Sequence, residues 1–502
     1  MRSRTSLIVV FVCVLALVPL QAQAAPCSTT LQALIDAAPA GSVVNVPACV
    51  YRESATINKP LTLAGQPGAE IRGSDIWNDW QPADGLWISQ QTLPPLPEVN
   101  DTQPRCADPN NRCLRPEQVF VDGQPFYPLG TGATPSSGEF ALDDARHILL
   151  ADDPTGRLVE VSTRTRWIVT AANNVTIQGF TMKHAANDAQ TGGVANDGFA
   201  NWTLQDNVLA YAHGGDVFVD RAPNIRVLRN DISAGGNLGI AGWQISQSLI
   251  AANHLHDNGT DEFNRNWSMG GLKISEVQDV VVDGNESDHN GSGFWCDVGC
   301  RNVTFSNNRI HDNPLGGIIF EISDGGAFHD NVGWENGWGP VGWVWGAGIL
   351  ISSSTNTEIW NNVMAWNASG ISVVDQTRPK PFDPFNHFVH DNTIIRQQIV
   401  DPEYWRNMML AFTSDNGTGP GTLFDPDANV HGLNNAFWMD TPENPQNIAR
   451  FAWYQGYGSL SEFSDTPGGT GSHYISAAEK DDVLVMHNIP SQPSAAVAAP
   501  RF

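Results

Sequence analysis

Basic residues are scarce: 27 Lys and Arg stand against 53 Asp and Glu in 502 residues, a formal charge of −26. Nucleic-acid recognition needs clustered Lys and Arg on phosphates, so that class of partner is excluded. An anionic membrane surface is disfavoured for the same reason. Lysine itself occurs only five times. Charged residues make up 16% of the chain and apolar ones 41%, too little charge for a disordered protein and enough apolar mass for a large core. Beyond the first two dozen residues no apolar run is long enough to cross a bilayer. Helical spacing of apolar residues is missing from the middle of the chain, as is a leucine-rich pattern. There is no phosphate-binding loop, no dinucleotide fingerprint and no G-x-S-x-G nucleophile elbow.

The opening MRSRTSLIVVFVCVLALVPLQAQA (1–24) reads as an export signal: Arg2 and Arg4, an apolar run from Leu7 to Leu20, then Ala22-Gln23-Ala24. The run is short for a membrane anchor. The expected location is secreted, extracellular or periplasmic, with no membrane span after cleavage. Cysteine usage agrees. Of seven, Cys13 leaves with the signal and six remain in three local groups: Cys27 and Cys49, Cys106 and Cys113, Cys296 and Cys300. An even count in an exported chain points to disulfides, and pairing within each group is the simplest of the 15 connectivities.

What is abundant is repetition. Asn recurs at 207, 230, 253, 285, 308, 331, 362 and 392, mostly in steps of 23, and a second column follows at 258, 290, 313, 336 and 367. Aligning 278–299 with 301–323 gives one template: short strand, Asn turn, short strand, Asn-Gly loop, longer strand. A fixed period with short strands is the signature of a β-solenoid. Both Asn columns read as structural, since Asn tolerates a left-handed turn and can bond to its equivalent on the next coil. The histidines of the HDN triplets at 256–258, 311–313 and 390–392 read as part of the same turns. Steps of 30–32 mark loop insertions, including NGTDEFNRNWSMGG and the Trp-rich run from Asn336 to Gly348.

The stretch 173–415 resembles the right-handed parallel β-helix superfamily, the group of pectate lyases and several glycoside hydrolases. The opening TTLQALIDAAPAGSVVNVPACVYRESATINKPLTLAGQPGAEIRGS resembles it too, with LQALIDAA as a capping helix and VVNV, ATI, LTLAG and AEIRGS as first coils. The resemblance implies an all-β right-handed parallel β-helix with an N-terminal capping helix and an inserted β-rich subdomain. The expected organisation is signal (1–24), cap and first coils (25–75), β-rich insertion (76–157), parallel β-helix (158–415), a segment packing on or capping the helix (416–488) and a disordered tail (489–502).

The longer strands align on a leading glycine: GIAGWQ (239), GLKISE (271), GFWCDV (293), GIIFEI (317), GILISS (348). Side chains alternate faces along a strand. The first and third residues after Gly are apolar and face inward, so the second and fourth face out. Asp297 and Glu321 then share a register on consecutive coils. Stacked carboxylates repel, which pushes their titrations apart and equips a site with an acid and a base. A separation of about 5–5.5 Å fits retaining glycoside hydrolysis. Lys273, one coil earlier, supplies a cation; Trp267, Trp295, Trp243 and Trp345 offer indole faces to a sugar; His289 lies within sequence reach of the site. The W-x-D strand followed by a strand with a central Glu is similar to β-helix glycosidases of the xylosidase type, a resemblance that implies Asp297 as nucleophile and Glu321 as acid/base.

The function expected is a secreted glycoside hydrolase acting on a polysaccharide or oligosaccharide, with no metal or other cofactor. A lyase or uronate epimerase, with Lys273 neutralising a uronate, is the enzymatic alternative, and a non-catalytic carbohydrate-binding β-helix the third. The acidic run 257–264 offers Ca²⁺ ligands but lacks the D-x-D-x-D-G spacing.

Overall fold

A computed structural model describes residues 27–96, 105–107, 112–376, 384–396, 408–415, 421–441 and 448–494. The proposed signal 1–24 lies outside them. Three long sheets of 12, 13 and 13 strands run the length of the molecule. Each coil contributes one strand to each sheet, and strands of consecutive coils pair in parallel, for example Ser292–Asp297 with Gly316–Glu321 and Arg301–Ser306 with Asp324–His329. The apolar faces of all three sheets meet in one continuous core, with Phe294, Cys296, Ile318 and Phe320 buried where their alternation requires.

The helix Leu31–Ala37, capped by the Thr30 side chain, closes the first end. It buries Leu31 and Ile35 on the core and covers strand edges that would otherwise stay unpaired. After Glu70–Arg72 the chain leaves the solenoid for two small sheets between Ser74 and Ser162, then resumes at Ile168–Thr170, which pairs with Ala55–Ile57. The insertion has its own apolar cluster around Val119, Phe140 and Ile148. It is fastened to the coils by Glu160, which meets Arg52 at 2.8 Å and Arg72 at 2.6 Å, and by Phe120, which stacks on His184 at 3.7 Å.

Both Asn columns are ladders. Asn308 is fully buried; its Nδ2 donates to Val282 O and to Asn331 Oδ1, and its own Oδ1 accepts from the backbone and side-chain N–H groups of Asn285. The second column repeats this pattern at 258, 313 and 336; at 290 only the backbone N donates to the next Asn, and Nδ2 donates to Ser287 Oγ instead. The asparagines do not themselves make the left-handed turn expected of them. It falls one residue earlier instead: Arg229, Ala252, Asn307, Asp330 and Asn361 have φ between 53° and 57°. That residue turns the chain, and the Asn after it faces inward to bond.

The coils do not stop at 415: Val430–Leu433, Ala436–Met439 and Phe451–Trp453 pair in parallel with the preceding coil, and Asn435 continues the ladder from Asn392. A 43-residue step hid this rung from the period. Nor is the tail loose from 489. Residues 489–494 follow the helix Ala477–Met486 back over the third sheet, where Ile489 is buried, Pro490 O accepts from Trp366 Nε1 and Ser494 N donates to Glu335. The rest of the expected tail, 495–502, lies outside the described residues.

Asn308→Ala would leave the N–H groups of Asn285 and the carbonyl of Val282 without partners. A loss of about 3 kcal/mol or more is expected, read by denaturant unfolding. Buried histidines contribute to the acid sensitivity: burial lowers His184 to about 3 and His387 to about 4. Both are neutral when folded and take up protons near their ordinary value of about 6.5 when unfolded. Stability is therefore complete above that value and is lost as pH falls towards the folded values. Melting temperature should fall between about pH 7 and about pH 4, and His387→Gln should flatten part of that slope.

Candidate active site

The strands Gly270–Ser275, Ser292–Asp297 and Gly316–Glu321 lie side by side in one of the two 13-stranded sheets. Their register stacks Lys273, Trp295 and Ile319 in one outward column, and Ser275, Asp297 and Glu321 in the next. Paired strands are about 4.8 Å apart, so Asp297 and Glu321 are immediate neighbours. Their strand ends are tied down. Glu321 O accepts from Val298 N at 3.0 Å and from Ser323 Oγ at 2.7 Å. The bridge Cys296–Cys300 closes the turn just after Asp297; Cys27–Cys49 and Cys106–Cys113 are also paired.

Lys273 is the local cation. Its Nζ is 2.9 Å from Asp297 Oδ2, donates to Trp267 O at 2.6 Å, and lies 3.7 Å from the centre of the Trp295 ring. The like-charge stack therefore has a counter-charge inside it. Trp295 is 7% exposed, and its Nε1 has no hydrogen-bond partner among the described residues.

A cavity of about 480 Å³ opens above this sheet. Trp295, Ile319 and Glu321 form its floor; Arg265 and Asn266 stand on one side, and Pro340, Val341 and Trp345 on the other. The two sides are the two loop insertions read from the repeat. The first loop is held by the β-rich insertion: Ala107 N donates to Glu262 O, Asn264 N to Arg105 O, and Arg112 meets Asp261 at 2.9 Å. Cys106–Cys113 sits at that junction, where Cys113 packs with Phe263. Asp261 is thus engaged by Arg112, and Asp257 by His256 Nδ1 at 2.8 Å. These two carboxylates of the acidic run serve separate partners.

Of the residues singled out in the sequence, Glu321, Trp295 and Trp345 line the cavity, while Asp297 and Lys273 lie directly beside Glu321 and Trp295. Three others do not meet there. His289 occupies the left-handed position before Asn290, at φ 53°, and bonds to Asp288 at 2.7 Å on the side of the third sheet. Trp243 shares the outward column of Asp297 but sits two strands earlier, 39% exposed, with Arg221 at 5.7 Å. Trp267 contributes its carbonyl; Arg105 covers its ring at 5.1 Å and Phe263 packs beside it. Arg265 and Asn266 were missed. Their position inside an insertion loop was the available signal, but a loop's path is not periodic.

The sequence profile of the right-handed β-helix region matches residues 168–332 and 265–400. XylC, solved with xylose, superposes with a TM-score of 0.61 at 15% identity, over 84% of this chain and 82% of XylC. The chain is a right-handed parallel β-helix. The A-module of the mannuronan C-5 epimerase AlgE4 of Azotobacter vinelandii is a more distant structural relative, with a TM-score of 0.47 at 13% identity over 89% of this chain and 94% of the module. No curated protein matches the sequence. At these identities the likeness is one of fold, and the chemistry of this β-helix has to be argued from its own side chains.

Lys273→Met removes the ammonium between Asp297, Trp267 and Trp295. Because the pair is largely shielded from solvent, a loss of about 2–3 kcal/mol is expected in denaturant unfolding. Lys273→Arg should recover part of it.

Proposed function

We propose that the protein is an exported carbohydrate-active enzyme, a glycoside hydrolase that works with retention. The observation that carries this reading is the pairing of Asp297 and Glu321 on adjacent strands, with Glu321 on the floor of a cavity faced by Trp295 and Trp345. Carboxyl groups carried on strands about 4.8 Å apart suit the short separation of retaining enzymes better than the wider gap that admits a water, which favours a covalent glycosyl intermediate over direct displacement. Asp297 is the nucleophile and Lys273 holds its carboxylate in place. Glu321 delivers a proton to the leaving oxygen, then accepts one from the water that releases the intermediate. Trp295 and Trp345 supply apolar faces for the sugar ring. The xylose bound to XylC supports a sugar ligand on this fold. The opening 24 residues and the three disulfides support export.

The lyase or epimerase reading needs a cation on the substrate carboxylate. Lys273 is engaged by Asp297 and Trp267, so that task would fall to Arg265 on the cavity side. A binder without chemistry would use the indoles alone.

Purified protein screened on a glycan panel should release reducing ends without forming an unsaturated, ultraviolet-absorbing product. The first product should keep the anomeric configuration of the substrate, read by proton NMR. Asp297→Asn and Glu321→Gln should each lower kcat/KM on the order of 10³-fold or more, with melting curves close to wild type. Full activity in both variants refutes the assignment; an inverted product refutes the nucleophile role; an unsaturated product moves the protein to the lyases.

A further inference from the structure

A second cluster lies on another sheet and plays no part in the chemistry above. Asp231, on the strand Asp231–Ser233, is paired in register with His254, and His256 follows on that same strand, His254–His256. All three side chains point away from the core. One ligand atom from each lies within 4.8 Å of the other two. His256 Nε2 is 3.0 Å from Asp231 Oδ1, and the two imidazoles stack with centres 4.2 Å apart.

The surroundings are those of a metal-binding pair of histidines. His256 Nδ1 is held by Asp257 at 2.8 Å, and His254 Nε2 by Asp288 at 2.7 Å. Each ring therefore has one nitrogen fixed by a carboxylate. That arrangement orients the ring, sets its tautomer and strengthens the opposite nitrogen as a ligand. His254 Nδ1 makes no hydrogen bond among the described residues, and His256 Nε2 meets only Asp231. Three carboxylates, Asp231, Asp257 and Asp288, concentrate negative charge around the two imidazoles. Two imidazoles and a carboxylate suit a borderline ion such as Zn²⁺, whereas Ca²⁺ takes oxygen ligands.

We propose that Asp231, His254 and His256 bind one divalent transition-metal ion of the zinc class, with water completing its coordination. The ion is structural. It joins two consecutive coils, and Asp288 ties in a third. His256 is also the last strand residue before the loop 257–269, which carries Arg265 and Asn266 to the cavity. The clamp thus sits at the root of one side of the candidate active site, and it stands whether or not the hydrolase reading does.

The test uses the full exported chain, stripped with EDTA and titrated with ZnCl₂ by calorimetry. One Zn²⁺ per chain and a raised melting temperature are expected. His254→Gln and His256→Gln should each weaken binding at least tenfold, while His431→Gln, far along the coils, should bind as wild type does. CaCl₂ should give no saturable heat. Circular dichroism of the metal-free variants checks that they are folded. The proposal is overturned if no stoichiometric Zn²⁺ binding occurs, or if folded His254→Gln/His256→Gln protein binds as tightly as wild type. In either case the cluster is a histidine–carboxylate hydrogen-bond network alone.

Discussion

The spacing between coils is the constraint on which everything else in this molecule depends. Parallel strands stack at about 4.8 Å, and each coil must offer its neighbour a matching set of backbone groups at every strand and every turn. The asparagine ladders enforce this at the turns. Each buried amide bonds to the carbonyl of the preceding coil and to the amide of the next, so a coil that slipped would break bonds on both sides. A slip of one residue would also turn every side chain of a strand to the opposite face. The apolar interior forbids it.

The candidate site is a by-product of that lock. Ser275, Asp297 and Glu321 are separated by 22 and 24 residues, not 23, and the differences are absorbed in the turns on either side of the strands. An added Pro314-Leu315 turn precedes Gly316–Glu321, and Leu315 joins the cavity lining. The carboxylates end in register because the core residues Cys296 and Phe320 are in register. Repulsion between them is offset locally by Lys273, one of the five lysines of the chain. A like-charge stack with a single buried counter-ion is costly as mere surface decoration, and that cost is the physical reason to read it as functional.

Elements far apart in sequence converge on the cavity. The β-rich insertion leaves the helix at its first coils, yet its segment 105–114 supports the loop 257–269 through Ala107, Arg105, Arg112 and Cys113. The opposite side comes from the run Asn336–Gly348, nearly one coil-length after Glu321. Insertions into a solenoid collect on one face because the core accepts none. The tail folds back in the same way, covering Trp334 and Trp366 on the third sheet with Leu484 and Ile489.

The repeat alone determined the solenoid, the inward and outward alternation, the structural role of both asparagine columns and the pairing of Asp297 with Glu321. These follow from periodicity, and periodicity is a property of the sequence. It could not show that the residue before each Asn makes the left-handed turn, that coils persist past 415, or that 489–494 is packed. Nor could it show that the Trp267 ring is covered by Arg105, that Trp243 and His289 stand away from the cavity, and that Arg265 stands in it. Those outcomes rest on loops, whose paths are set by the surfaces they land on, and no surface exists until the coils have stacked.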